Sequence, residues 1–301
     1  MYIYPMTEVI SSSVFNHHGY ADDTQLYNSF KQQHFDEMCA NLSECATNVD
    51  CWMTCNKLKN NTDKMEIMLC GTQYKLKSTQ ANNVEIGSDT ISFSANIKNL
   101  GVFLEQNLSM NCHVSYIRKC CYFEIRKIAH LRPFIDEKST IKLVVSLVLS
   151  KLDYCNCLFY NMSNQNFKKL QLVENHAARL VKKQPRTSSA TLLLKELHWL
   201  PIKFRVLYKI CIIVFKCLNE ADFPSYLSEL LTVYTPSRTL RSLDTNRLVK
   251  PLMKLSTFGQ RSFLYAAPEV WNDLPIELRI CTSLPLFKKN LKTHFFRVAF
   301  Y

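Results

Sequence analysis

Glycine is scarce, with 5 in 301 residues, and none sits in a glycine-rich phosphate loop. Nucleotide binding of that kind is excluded, because it needs backbone N–H groups that can approach a phosphate closely. The 10 prolines form no low-complexity tract, and no segment repeats at a fixed period, so neither a solenoid nor a disordered linker is expected. No Ser-His-Asp or Cys-His triad can be argued from spacing. The opening residues, Met1-Tyr2-Ile3-Tyr4-Pro5-Met6-Thr7-Glu8, lack a basic n-region and a long apolar h-region, so no secretory signal is expected. The 13 Cys are then expected to be mostly reduced thiols. The most apolar helical runs, 143–149 and 210–214, are too short and too closely flanked by Lys to span a bilayer. An intracellular protein of the cytoplasm or nucleus, with no membrane partner, is the expectation.

Acidic residues are the minority. Against 25 Asp and Glu stand 37 Lys and Arg, a formal charge of +12 with a pI near 9.1. That balance favours a polyanionic partner such as nucleic acid, although a basic surface can also serve solubility alone. Hydrophobic residues make up 47% of the chain, enough for one large core or two modest ones.

Up to about residue 105, short β-like runs alternate with one helix. Residues 17–27 read as a hairpin, and 65–69 and 97–104 as strands. Between them Phe35, Met38, Leu42, Cys45, Val49 and Trp52 recur at helical spacing and predict one buried face. From about residue 115 the pattern turns helical: Ile117, Cys121, Ile125, Ile128 and Leu131 form a stripe that stops at Pro133. A second helix is expected over 139–149. A third is capped by Ser163 or Asn164, with Leu170, Val173, Ala177 and Leu180 on one face. A fourth starts at Pro201 as first helical residue and runs to about Leu218. Past Asp222 the chain is interrupted by Pro224, Pro236 and Pro251 and ends in a basic amphipathic segment over 286–300. The fold class is α+β followed by a mostly helical region.

The segment Gly19-Tyr20-Ala21-Asp22-Asp23-Thr24-Gln25-Leu26-Tyr27 puts two adjacent carboxylates in a turn between β-prone flanks. Adjacent acids repel, so the pair is either solvated or neutralised by cations. On the dipeptide alone an ordinary Asp-rich turn is the better explanation, since Asp bonds its own backbone in turns.

Tyr20-Ala21-Asp22-Asp23 resembles palm motif C of reverse transcriptases, and its extension Thr24-Gln25-Leu26-Tyr27 resembles the LINE-type (non-LTR retrotransposon) enzymes of the jockey-like group. Leu58-Lys59-Asn60-Asn61-Thr62-Asp63-Lys64-Met65-Glu66 resembles motif D, with Met65 where the family usually has Thr. Asn99-Leu100-Gly101-Val102 resembles the start of motif E, the primer grip. Downstream, Leu152-Asp153-Tyr154-Cys155-Asn156, Asn175-His176-Ala177-Ala178-Arg179-Leu180 and His198-Trp199-Leu200-Pro201 resemble the thumb-like region of the same elements. So do Ala266-Ala267-Pro268, Trp271-Asn272-Asp273-Leu274-Pro275 and Phe287-Lys288-Lys289-Asn290-Leu291-Lys292.

The resemblance implies a partial palm over 1–110, a helical thumb-like region over 111–235 and a basic C-terminal region over 236–301. It implies an RNA-directed DNA polymerase working by two-metal nucleotidyl transfer. Two Mg²⁺ ions would activate the primer 3′-hydroxyl and stabilise charge on the transferred phosphoryl group, with RNA template, DNA primer and dNTP as partners. Asp22 would be the principal motif C ligand and Asp23 its partner. Lys64 would neutralise or protonate the leaving pyrophosphate, and Leu100 and Gly101 would belong to the primer grip. Only 1–19 precede the hairpin, so the motif A aspartate, motif B and the fingers have no counterpart, and no polymerisation by this chain alone is expected. Without a motif A strand beside the hairpin, the isolated chain is also expected to be poorly folded in its first hundred residues. The alternatives are a nucleic-acid-binding remnant with idle carboxylates, or a pseudogene product without function.

Cys39, Cys45, Cys51 and Cys55 resemble a ligand series, yet Cys45 falls on the apolar stripe and no C-x₂-C pair accompanies them. Cys112-His113, Cys120-Cys121 and Cys155 with Cys157 also miss zinc spacing, so no structural metal is predicted. Lys182-Lys183-Gln184-Pro185-Arg186 and Arg238, Arg241 and Arg247 could track a phosphate backbone or be solvated loops. His198-Trp199 reads as a stacking platform or as a packed corner before Pro201.

Overall fold

The computed structural model describes residues 4–79, 83–87, 89–235, 246–253, 255 and 258–301. The chain divides into two compact units, Met1–Leu108 and Ser109–Tyr301. The first is α+β and the second is helical, so the mixed fold class holds.

In the first unit α1 (Tyr4–Ser11) leads into a hairpin of β1 (Asn16–Tyr20) and β2 (Asp23–Tyr27), and then α2 (Phe35–Cys55). After α3 (Gln73–Ser78) come two further hairpins: β3 (Asn83–Ile86) with β4 (Asp89–Ser92), and β5 (Asn96–Asn99) with β6 (Val102–Glu105). All three sheets are antiparallel and two-stranded among the described residues. The expected single strand over 97–104 is thus a hairpin, broken by a turn at Leu100-Gly101. The strand expected over 65–69 is reduced to one bridge, Ile67 to Phe93.

Two apolar clusters meet α2 from different sides. Met6 and Ile10 of α1, Phe15, and Leu26 of β2 pack on Cys45 with Met38, Leu42, Val49 and Trp52. That is the predicted stripe without Phe35, which packs with the second cluster instead. A second stripe, Cys39, Leu42 and Ala46, holds Val84 and Ile86 of β3, Met65 and Ile67, while Phe35 meets Phe93 at 6.0 Å between ring centroids. Met65 therefore has an apolar packing role.

In the second unit α4 (Asn111–Leu131) buries Val114, Ile117, Cys121 and Ile128. Leu131, expected in this stripe, is 50% exposed; the turn that Pro133 forces brings Arg132 inward instead. The Arg132 guanidinium donates to Ile135 O (2.9 Å), Leu180 O (3.1 Å) and Val181 O (2.7 Å), satisfying carbonyls that helix ends leave open. Asp136 caps α5 (Glu137–Val144) by accepting from Ser139 N at 3.0 Å. The helix continues through a π-helical stretch, Val145–Leu149, into α6 (Ser150–Asp153).

Ser163 caps α7 (Asn164–Lys182), which buries Leu170, Val173, Ala177, Ala178 and Val181. After α8 (Ala190–Glu196), Pro201 is the N-cap of α9 (Ile202–Asn219) rather than its first helical residue. Trp199, 7% exposed, belongs to a packed corner and offers no open face for stacking. Beyond α10 (Ser225–Ser228) lie α11 (Phe263–Asn272), with Pro268 inside it, α12 (Ile276–Arg279) and α13 (Leu284–Phe300). Phe287 of α13 stacks on Phe215 of α9 at 4.5 Å and touches Trp271 at 5.8 Å, which joins the last helices to the core. Among the described residues no helix is long and apolar enough to cross a membrane.

Candidate functional site

The register pairs Tyr20 with Asp23, so Ala21 and Asp22 form a two-residue turn. Only Ala21 has positive φ, +54°, as the first loop residue of a type II′ hairpin turn does. Directly opposed residues share a face, so His17 and Leu26 point to the α1–α2 cluster, while Asp23 lies with Tyr20, His18, Gln25 and Tyr27 on the other. There His18 and Tyr27 stack at 5.1 Å. Apolar packing beneath one face thus presents the acids from the other. Asp22 and Asp23 are both exposed, and among the described residues neither makes an ion pair.

Lys64 ends a 3₁₀ turn, Thr62–Lys64, and is exposed. Its neighbour Met65 packs in the second α2 cluster, whereas the hairpin belongs to the first. No ion pair links Lys64 to Asp22 or Asp23 among the described residues. Leu100 (φ +43°) and Gly101 (φ +83°) form the β5–β6 turn, with the two positive φ values of a type I′ hairpin. The acids, the lysine and the Leu-Gly turn are joined by no ion pair among the described residues.

Magnesium commonly keeps several waters and takes one or two carboxylates plus substrate phosphates. Asp22 and Asp23, which make no ion pair among the described residues, could supply the carboxylate part of such a set. Among the described residues, no group of three or more His, Cys, Asp and Glu is arranged to hold a metal.

The second unit contains a buried ionic network that sequence reasoning did not find. Glu174 of α7 is fully buried; its carboxylate accepts from Arg205 Nε at 2.8 Å and from Gln171 Nε2 at 2.9 Å. Arg205 of α9 also donates to Asp153 Oδ2 at 2.8 Å and to Leu200 O at 2.8 Å. Gln171 Oε1 accepts from Ile202 N at 2.9 Å. Burial pushes the Glu174 carboxyl up to about 7, against the attraction of Arg205. Asp153 and Leu200 come from two of the thumb-like motifs, so those residues are tied together as structure.

The Trp271-Asn272-Asp273-Leu274-Pro275 segment is also structural. The Trp271 indole donates to Asn246 O at 2.7 Å. Asn272 clasps Leu248, accepting from its N–H (2.9 Å) and donating to its carbonyl (2.8 Å), as a paired strand would. Pro275 caps α12. Of the candidate phosphate-tracking arginines, Arg247 is exposed, and Arg238 and Arg241 lie outside the described residues.

Comparison with protein-family models, with curated proteins and with solved structures found no match.

Proposed function

We propose that this chain is part of a LINE-type RNA-directed DNA polymerase, with the β1–β2 hairpin supplying motif C of the palm. The observation that carries this is the pair Asp22 and Asp23, adjacent, exposed and, among the described residues, engaged in no ion pair at the tip of a hairpin whose other face is fixed by apolar packing. In this reading Asp22 and Asp23 bind and orient Mg²⁺, which supplies charge neutralisation for phosphoryl transfer. In the same reading Lys64 acts at the leaving pyrophosphate, and the Leu100-Gly101 turn contacts the primer. RNA template, DNA primer and dNTP are the partners. The described residues offer two carboxylates and no third ligand, so this chain by itself is expected to incorporate no dNTP on a poly(rA)·oligo(dT) template.

Paramagnetic Mn²⁺ standing in for Mg²⁺ tests the reading without requiring turnover. Broadening of amide NMR signals is expected to centre on residues 20–24 and to vanish in Asp22→Ala/Asp23→Ala. Uniform broadening, or broadening centred elsewhere, refutes it. The second reading, nucleic-acid binding with idle carboxylates, is favoured by the basic surface and predicts salt-sensitive RNA binding that survives Asp22→Ala.

A further inference from the structure

Between Ser109 and Arg186, fourteen Lys and Arg face only five Asp and Glu, so much of the net charge of the chain is concentrated there. The acids of this stretch are engaged. Glu124 pairs with Lys151 (3.3 Å) and Lys127 (3.9 Å), Glu137 with Lys182 (2.8 Å), and Asp153 and Glu174 with Arg205. Asp136 caps a helix.

Along the α4–α7 groove Arg118, Arg179, Lys183 and Arg186 pair with no acid among the described residues. Tyr122 of α4 bonds His176 Nδ1 of α7 through its hydroxyl at 2.8 Å, and the Arg118 guanidinium lies 5.7 Å from the Tyr122 ring centroid. Arg179 is held in place by donating twice to Ser188 O, at 3.2 and 3.1 Å. At the C-terminal ends of α4 and α7 lies an open cleft lined by Ala129, Arg132, Pro133, Arg179, Lys183 and Gln184. Arg132 already meets the open carbonyls at the end of α7, so Arg179, Lys183 and Arg186 are not needed for that task.

Burial, then the positive charges of Arg179 and Arg186, hold the His176 imidazole below its ordinary value. From α4 it faces Tyr122. Glu137 of α5 and Glu196 of α8, whose helices also pack on α7, pair with Lys182 instead, and Glu174 pairs with Arg205 of α9. A histidine beside two arginines that no acid among the described residues pairs marks a place that favours an anion.

We propose that His176, Arg179 and Arg186, extended by Lys183 and by Arg118 on Tyr122, form a phosphate-binding site, its ligand either a polynucleotide backbone or a free phosphate. The site stands apart from the palm reading, since its test involves neither the hairpin nor turnover.

Two probes, inorganic pyrophosphate and a fluorescent twelve-residue oligouridylate, separate the sources. The His176 imidazole, followed by NMR in the full chain and assigned with His176→Gln, is expected to titrate roughly one pH unit higher when the site is filled. A rise with both probes, or with the oligonucleotide alone, identifies a backbone site; a rise with pyrophosphate alone identifies a free phosphate. Arg186→Gln, at an exposed position, is expected to weaken the bound probe about tenfold and, for the oligonucleotide, to lower the log–log salt slope by about 1. Lys168→Gln, on the exposed N-terminal part of α7, is expected to change affinity by less than about twofold. An unmoved His176, or an Arg186→Gln protein that binds as tightly as the parent, overturns the proposal.

Discussion

Replacing Arg205 by Met leaves the Glu174 carboxylate fully buried with Gln171 as its remaining donor. The lost attraction is about 4 kcal/mol for charges near 4 Å at an effective dielectric of about 20. Removing one partner of a buried pair costs about 3 to 5 kcal/mol, so the second unit should lose that much at pH 8.5. The Asp153 carboxylate is 44% exposed and adds at most about 0.5 kcal/mol, because water screens it. The penalty depends on pH with a defined sign. A carboxyl whose folded pKa lies above its unfolded value favours folding when protonated, and this contribution is lost as pH rises through the folded value. Burial already pushes Glu174 up to about 7, and loss of Arg205 pushes it further. The Arg205→Met penalty should therefore shrink by about 1 to 2 kcal/mol at pH 5.5, where Glu174 is neutral in the folded chain. Urea unfolding measures it through the fluorescence of Trp199 and Trp271, both buried in this unit, with Trp52→Phe removing the signal of the other. Adding Glu174→Gln should recover about 2 kcal/mol of the single-variant loss. A penalty below about 1 kcal/mol at pH 8.5, or one identical at both pH values, refutes the argument.

Asn272→Ala strips partners from both the N–H and the carbonyl of the buried Leu248, and should cost about 2 kcal/mol in the same urea assay. Ala21→Gly relieves a side chain held at positive φ; amide exchange in β1 and β2 should slow by about twofold to fivefold, and faster exchange would refute the turn geometry. Burial pushes the Cys121 thiol up to about 12 and the Cys211 thiol higher still, whereas Cys51, Cys55 and Cys112 are exposed. Brief alkylation at pH 8 read by peptide mass spectrometry should label the last three and spare the first two.

Much of the helical framework was legible because its signals are local. Ser163 as a cap, Pro133 as a stop and the Met38-Leu42-Cys45-Val49-Trp52 stripe each act over one or two turns. The second stripe of α2 was not, because Cys39 and Ala46 carry little hydrophobic signal and their burial depends on a sheet about forty residues away. Nor was β3, whose four residues contain only two apolar side chains. Helix α11 was hidden by Pro268, which removes one backbone donor; the burial of Ala266, Ala267, Val270 and Trp271 outweighs that loss. The Glu174–Arg205–Asp153 network joins residues 31 and 52 positions apart, a pairing no local pattern records.

The residues that carry the resemblance fall into two physical kinds. Asp153, Leu200, Trp271 and Asn272 bond or pack inside the second unit, so retaining its fold is sufficient reason for them. Asp22 and Asp23 are exposed, and no ion pair among the described residues uses them. A type II′ turn asks for an unhindered first loop residue and makes no demand for acid at the two positions after it. Two adjacent like charges there carry a repulsion that folding does not need. Asp22→Asn/Asp23→Asn should thus leave urea stability within about 0.5 kcal/mol or raise it, while abolishing the Mn²⁺ effect at the hairpin tip. A double variant that loses stability instead would mean that the carboxylates serve the turn, and the metal-binding reading would lose its physical motive.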